Sequence, residues 1–395
     1  MHSIILFDDP KIRLQLLPFT YTRPVAGIRC GIWTLAEKWS EWFQTEVSFQ
    51  TESYLNSHFS FTESKEPVYI NGALCPDALL VEKIDQLPKE SVLLSAENEI
   101  LAVKTFSDWT SNTDTNHLAQ HIYEEPLTMI RQVWDIFLNN GAQIKADFVR
   151  ISSSGQSVAL TDPFTRCYYP ENIFIEEEAV IKAAILNAEN GPIYIGKNAS
   201  IQEGVVIQGP FAIGESSVLA QGAKIRPNTT VGPFCKVGGE VSNCVIFGYS
   251  NKGHDGYLGN SVLGEWCNLG ANTNNSNLKN DHTSVKLHSY VTGNPENTGL
   301  MFCGLFMGDY SKAGISTMFN TGTVVGVSVN VFGAGFQPKH IPSYSWGGQA
   351  EGFSEYRFDK AVAVAQDTVN RRGVTFDETD EKRMREVFEL TKNQR

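Results

Sequence analysis

The 395-residue sequence contains no C-x-x-C pair, and its seven cysteines (Cys30, Cys75, Cys167, Cys235, Cys244, Cys267 and Cys303) are odd in number and widely scattered. That spacing argues against a disulfide framework or a zinc ribbon and for reduced, cytosolic thiols. Long apolar runs are missing as well. The start, MHSIILFDDPK, has no basic n-region, its apolar run is only Ile4 to Phe7, and no later stretch approaches the length of a membrane span. The expectation is a cytoplasmic protein without a signal peptide or membrane anchor. Positive charge is scarce, with 32 Lys and Arg against 44 Asp and Glu for a net charge of -12, which speaks against nucleic acid or an anionic membrane as the main partner. An anionic ligand must therefore be met by local lysines and arginines.

What is present is a rhythm. Large aliphatic residues stand at Ile195, Ile201, Ile207, Ile213, Leu219, Ile225, Val231 and Val237, six residues apart without exception. Neither the 3.6 period of a helix nor the alternation of an ordinary strand fits, whereas a six-residue period is the mark of a parallel β-helix whose aliphatic column no single coil could bury alone. Gly196, Gly214 and Gly232 lie eighteen residues apart, so they should stack at one corner of successive triangular coils, where a tight backbone favours glycine. The register returns at Leu263 and Leu269, and again from Met307 through Ala313, Phe319, Val325 and Val331. The gaps from Val237 to Leu263 and from Leu269 to Met307 are each two more than a multiple of six, so loops are expected to leave the scaffold there, and loops on rigid scaffolds often carry function. The first gap holds NKGHDGYLG, with His254 between two glycines.

From His254 onward the residues His254, Tyr257, Leu258, Gly259, Leu263, Gly264, Asn268, Leu269, Gly270, Ala271, Thr273 and Asn277 match, spacing for spacing, the motif H-x-x-Y-L-G-x-x-x-[IL]-G-x-x-x-N-[IL]-G-A-x-T-x-x-x-N. Residues 225–331 thereby resemble the C-terminal domain of the bifunctional glucosamine-1-phosphate acetyltransferase and N-acetylglucosamine-1-phosphate uridyltransferase family. The resemblance implies a left-handed β-helix, a homotrimer with active sites between protomers, acetyl-CoA as co-substrate and His254 as general base. Imidazole chemistry suits that role, because the amino group of glucosamine-1-phosphate must lose a proton before attacking a thioester. By the same resemblance Arg226 holds the sugar phosphate, Tyr257 and Asn268 contact the sugar, and Asn277 lies in the acceptor site. Lys286 or Lys279 supplies a phosphate-side lysine, with Lys286 preferred. A further family lysine falls on Ser242, a departure that leaves the phosphate grip one charge short unless Lys252 or Lys236 compensates. On the acetyl-CoA side, backbone amides around Ala271 and from Ala313 to Ser316 face the thioester and pantetheine, and Lys312 and Lys339 are candidates for the nucleotide phosphates.

Residues 1 to 150 lack the hexad and read as a shortened α/β domain. Ile4 to Phe7 predicts a buried strand ending at Asp8, and a helix is expected from Thr34 to Phe43, behind a loop with Gly27, Arg29 and Gly31. A glycine-bearing loop entering a helix can cradle phosphate. The elements T-x-T-R-P, G-I-x-x-G-I-x-T and VYINGALCPD resemble the nucleotidyltransferase module of a divergent branch of the same family, although the standard L-x-A-G-x-G-T-R-M loop is absent. That likeness implies UTP as substrate, with Arg23, Gly27 and Arg29 toward the triphosphate and Asp8 or Asp77 toward Mg²⁺. A connecting helix is expected around Ile130, Val133, Trp134 and Phe137, a linker with irregular first coils over 151–190, the β-helix over 191–350, and two capping helices over 354–395. The competing readings are an acetyltransferase acting on another amino sugar with a non-catalytic front domain, a non-catalytic β-helix scaffold, and a zinc site of His254, His282 and His288 across protomers.

Overall fold

The computed structural model describes residues 3–62, 66–106 and 109–395. They divide into two compact units: Met1–Ile28 with Trp33–Asp135, and Arg29–Ile32 with Ile136–Arg395. The division falls at Asp135 rather than at residue 150, and four residues of the front half, Arg29–Ile32, go with the second unit.

In the first unit a six-stranded sheet runs in the spatial order Val47–Gln50, Ser3–Phe7, Pro67–Asn71, Ile100–Lys104, Ser91–Ser95, Ala119–Tyr123. Only Ile100–Lys104 is antiparallel to its neighbours. Strands of such a sheet read as continuous apolar runs because both faces are covered, and Ile4–Phe7 is buried throughout. Trp109 organises one side of the core, its ring edge-on to Phe7 at 4.8 Å among Ile5, Tyr69, Val92 and Val103. The expected helix spans Leu35–Phe43, opened by a capping box in which Thr34 accepts from the Glu37 amide, worth about 1 kcal/mol.

The second unit is a left-handed parallel β-helix whose three faces hold nine, ten and six strands. Every hexad aliphatic is inside. Ile195, Ile213 and Val231 stack on the nine-stranded face, Ile201, Leu219 and Val237 on the ten-stranded face, and Ile207 and Ile225 on the six-stranded face. The helix Asp135–Ser154 precedes the coil. Stacking begins earlier than the hexads suggest, since Arg166–Tyr168 already pairs with Ile185–Asn187, so most of 151–190 is regular coil rather than linker.

The backbone departs from two expectations. First, the stretch from Val237 to Leu263 does not leave the scaffold. The inward residues run Val237, Val241, Ile246, Lys252, Leu258, Leu263, because Ile225 pairs with Val241, Val231 with Ile246, Val237 with Lys252, and Val241 with Leu258. The coils have been shortened by deleted corner residues, and His254 sits in an ordinary corner between the ten- and six-stranded faces. The second gap does contain an insertion, which carries the antiparallel hairpin Lys286–His288 with Pro295–Asn297. Second, Gly214 and Gly232 are glycines because a Cβ would strike the backbone of the next coil, at Pro233 and Phe247 respectively. The left-handed residue at each of those corners is Ser216 or Phe234, two positions on.

At the far end, Ser345–Gly348 folds back on Gly352–Glu355, and the helices Phe358–Asn370 and Glu378–Leu390 follow. Tyr344 donates from its hydroxyl to the Met384 carbonyl at 2.7 Å and packs edge-on against Phe388, so the helices cover the open coil end, which otherwise presents unpaired strand edges. All seven cysteines are free, and among the described residues no helix is long and apolar enough to cross a membrane.

Candidate functional site

The corner 253–256 carries His254, which is exposed. Its shape is set by Gly256, at φ +124°, where a Cβ would collide with the Thr273 carbonyl; no side chain fits between these two coils. The Asp255 carbonyl accepts from the Asn272 amide at 2.9 Å, and the Tyr257 amide donates to Asn274 Oδ1 at 2.8 Å. The corner is thus stitched to the coil above.

Beyond it the six-stranded face presents Tyr257. The Tyr257 hydroxyl accepts from Asn277 Nδ2 at 3.0 Å, and the same nitrogen donates to Asn260 Oδ1 at 2.7 Å. Tyr257 and Asn277, twenty residues apart in sequence, are therefore brought together as the motif implied, with Asn260 added. Burial pushes the Tyr257 hydroxyl above its ordinary pKa, while Asn277 and Arg226 pull it down, so the phenol is a neutral hydrogen-bonding group. Below this patch Asn275 takes an inward position opposite Phe319, its amide serving the Gly259 amide and carbonyl.

Lys224, Glu240 and Tyr257 lie in one outward column, since Lys224 pairs with Glu240 and Glu240 with Tyr257. Ser242 faces Gly259 in the next column. Arg226 donates from Nε to Glu240 Oε1 at 2.9 Å. The charge of Arg226 is therefore balanced within the site, and Ser242 supplies none. Lys252, offered by the sequence as a substitute for the missing lysine, points inward and is buried; it cannot reach a surface phosphate. Lys236 is exposed on the ten-stranded face.

The remaining motif residues lie elsewhere on the coil. Asn268 and Lys312 are register partners on the ten-stranded face, whose outward side chains diverge from those of the face bearing Tyr257. Ala313 points inward into the core column, so only its backbone could meet a ligand, and the Ala271 carbonyl accepts from the Ser316 amide at 2.7 Å. Burial holds the Lys312 ammonium below its ordinary pKa, with Cys267 and Asp367 opposing. Lys286 is exposed on the inserted hairpin, whereas Lys279 donates to Thr283 at the base of the insertion. Burial, and then the nearby Lys279, lowers the Lys339 pKa. His288 stacks on His340 at 3.5 Å, and among the described residues His254, His282 and His288 form no metal-ligating group.

Of the front-half candidates, Asp8, Arg23, Gly27 and Asp77 fall in the first unit and Arg29 in the second. Asp8 is buried; its Oδ1 accepts from the Val25 amide and its Oδ2 from Arg13 and Thr51. Burial pushes this carboxyl up and Arg13 opposes. With its oxygens filled and its charge matched by an arginine, Asp8 does not fit Mg²⁺, and Asp77 caps the helix Ala78–Asp85 through the Leu80 amide. Arg23 is buried, Gly27 packs against the Arg23 side chain, and Arg29 donates to the carbonyls of Ile32 and Phe247 within the second unit. Sequence reasoning passed over a different place: a cavity of about 750 Å³ lined by Lys11, Ser95, Glu97, Glu99, Tyr123 and Arg131, among others. It lies at the carboxyl ends of the parallel strands Ser91–Ser95 and Ala119–Tyr123, where open α/β sheets bind ligands. Arg131 holds Glu99 there through two hydrogen bonds. Strand polarity was the signal that could have found it.

Residues 4–156 match the sugar nucleotidyl transferase family. A bifunctional sugar-1-phosphate nucleotidylyltransferase/acetyltransferase of Sulfurisphaera tokodaii is 32% identical over 144 residues, 36% of this chain and 35% of that protein. The bifunctional protein GlmU of Methanococcus maripaludis is 33% identical over 106 residues, 26% of this chain and 25% of its own. A putative uncharacterized acetyltransferase, YaiX of Escherichia coli K12, is 26% identical over 163 residues, 40% of this chain and 69% of its own. The chain spans only about a quarter to a third of the length of the first two.

Proposed function

We propose, for a chain that joins a sugar nucleotidyltransferase domain to a hexapeptide acyltransferase coil, that the coil transfers an acetyl group from acetyl-CoA to the amino group of glucosamine-1-phosphate. The observation carrying this reading is the exposed His254 at a corner beside the hydrogen-bonded Tyr257–Asn277–Asn260 patch. The His254 imidazole takes a proton from the amino group as the nitrogen attacks the thioester carbonyl. A backbone amide near Ala271 receives the oxyanion. The C–S bond then breaks, and the departing CoA thiolate takes the proton from the imidazolium, leaving an amide and free CoA. Tyr257 and Asn277 orient the sugar, and Asn268 and Lys312 act from a second copy in a cytoplasmic homotrimer.

The second activity we propose is uridylyl transfer from UTP to N-acetylglucosamine-1-phosphate, a reading supported by the sugar nucleotidyl transferase match over residues 4–156, with Lys11 and Arg131 meeting phosphate in the 750 Å³ cavity. The Asp8–Arg13 pair favours an alternative in which the front domain binds its ligand without turnover, since the carboxylate at the end of the first strand is already engaged.

Two assays test this. CoA release from acetyl-CoA and glucosamine-1-phosphate should fall ~10²- to 10⁴-fold in His254→Ala; full turnover in that variant removes His254 from the base role. Pyrophosphate release from UTP and N-acetylglucosamine-1-phosphate should be detectable and lost in Lys11→Ala. Its absence alongside intact acetyl transfer selects the binding-only front domain.

A further inference from the structure

Lys252 breaks the apolar interior of the coil. On the ten-stranded face the inward column runs Ile201, Leu219, Val237 and then Lys252, with Leu269, Ala313 and Val331 following. The residue is 2% exposed. An ammonium in that position forfeits its hydration, a heavy penalty unless polar partners replace the water. Both of its hydrogen bonds go to main-chain carbonyls, Gly238 at 2.9 Å and His254 at 2.9 Å. Gly239 closes the pocket, since a Cβ there would lie 2.8 Å from the Lys252 Nζ and 2.9 Å from the His254 carbonyl oxygen.

We propose that Lys252 is a positioning residue for His254, its ammonium clipping the His254 carbonyl to the Gly238 carbonyl one coil away and so fixing the corner that presents the imidazole. The inference rests on the reading of His254 as the base. The chemistry explains why a lysine stands where the column calls for an aliphatic residue. At this corner the His254 carbonyl points inward, and a buried carbonyl needs a donor. No side chain of the apolar column could supply one, whereas a lysine extends four methylenes through the core before presenting three donors. Burial lowers the Lys252 pKa to about 8, with Asp255 and Cys244 pulling it back up. Cys244 is itself held at about 12 by burial and stays neutral, leaving Asp255 as the facing charge. The clip is therefore charged at neutral pH and gives up its proton as pH rises through about 8.

The test uses the full chain with Lys252→Met, an apolar side chain of similar length that suits the column. The expected result is a kcat for acetyl transfer reduced ~10-fold or more, a KM for acetyl-CoA within about twofold of wild type, and faster amide exchange confined to residues 253–257. Unchanged kcat, or exchange that accelerates equally throughout the coil, overturns the proposal. In the wild-type protein the same amides, corrected for intrinsic exchange, should gain protection between about pH 8 and about pH 10, because opening the corner hydrates Lys252 and restores its ordinary hold on the proton, and flat protection overturns the clip even if the variant does not fold. Wild type without acetyl transfer, or full turnover in His254→Ala, defeats the base reading instead. The exchange measurements then still judge the clip by themselves.

Discussion

Arg226 and Glu240 meet at 2.9 Å with 57% and 32% of their side chains exposed, so the pair adds less than about 1 kcal/mol to the fold, and its consequence is for binding. The family resemblance gives Arg226 to the sugar phosphate and expects a lysine where Ser242 stands. Glu240 offsets the charge that Arg226 brings to this patch. Glu240→Gln frees Arg226, and the KM for glucosamine-1-phosphate should fall ~3- to 10-fold with kcat and melting temperature nearly unchanged, as read by steady-state kinetics and a thermal melt. An unchanged KM would show that Arg226 does not meet the phosphate. His254, Tyr257 and Asn277 were legible because a motif fixes their spacing. Glu240 was not, since its partner lies fourteen residues away, a separation set by a shortened coil that the eighteen-residue rule does not anticipate. Lys252 was visible as a residue but not as a core residue, for the same reason.

Whole elements divide in the same way. The hexads made the coil readable, because each aliphatic must fill the column beneath its neighbour. One corner carries a second column without a period in the sequence: Phe234, Tyr249, Trp266 and Tyr310 adopt left-handed φ values of 56°, 51°, 60° and 62°. Successive rings stack at 4.9, 4.2 and 6.4 Å, which offsets a backbone cost of ~1–2 kcal/mol per residue. Irregular coil lengths hid this ladder. The inserted hairpin was also beyond reach as a structure, although its place was marked by the broken register. It docks through His288, stacked face to face on His340, with Tyr290 edge-on to both. Burial, and then His288, drives the His340 pKa down to about 3, and burial lowers His288 as well. Both rings are therefore neutral when docked. A released or unfolded hairpin takes up protons near the ordinary pKa of about 6.5, so docking is fully supported above that pH and is lost progressively as pH falls toward 3. Proteolytic nicking within 286–297 should rise between about pH 7 and about pH 5, and His340→Leu should flatten that rise. Equal nicking of wild type and variant across the range would remove the histidine pair from the docking.

At the scale of the molecule, the second unit is completed by residues from far upstream. Gly31 donates its amide to Asn140 Oδ1 at 2.7 Å and accepts from the Thr230 hydroxyl at 2.9 Å, while the Ile32 amide donates to Asp147 at 2.8 Å. A chain cut at residue 135 would strip Asn140, Thr230 and Asp147 of these bonds, so the coil is not a module that ends where the front half does. The coil itself spreads the candidate site over two faces. Tyr257 and Asn277 look out from the six-stranded face and Asn268 and Lys312 from the ten-stranded face, and outward directions on adjacent faces of a triangular prism diverge. One ligand can meet both sets only when the ten-stranded face of one copy approaches the six-stranded face of another, which a closed cyclic assembly provides. His254→Ala and Asn268→Ala should each be nearly inactive as pure proteins. Unfolded together and reassembled in equal amounts, they should regain about a quarter of wild-type activity, the share of interfaces that draw an intact His254 from one copy and an intact Asn268 from its neighbour. If instead both residues serve a site within one chain, every chain in the mixture carries a lesion, and mixing restores nothing.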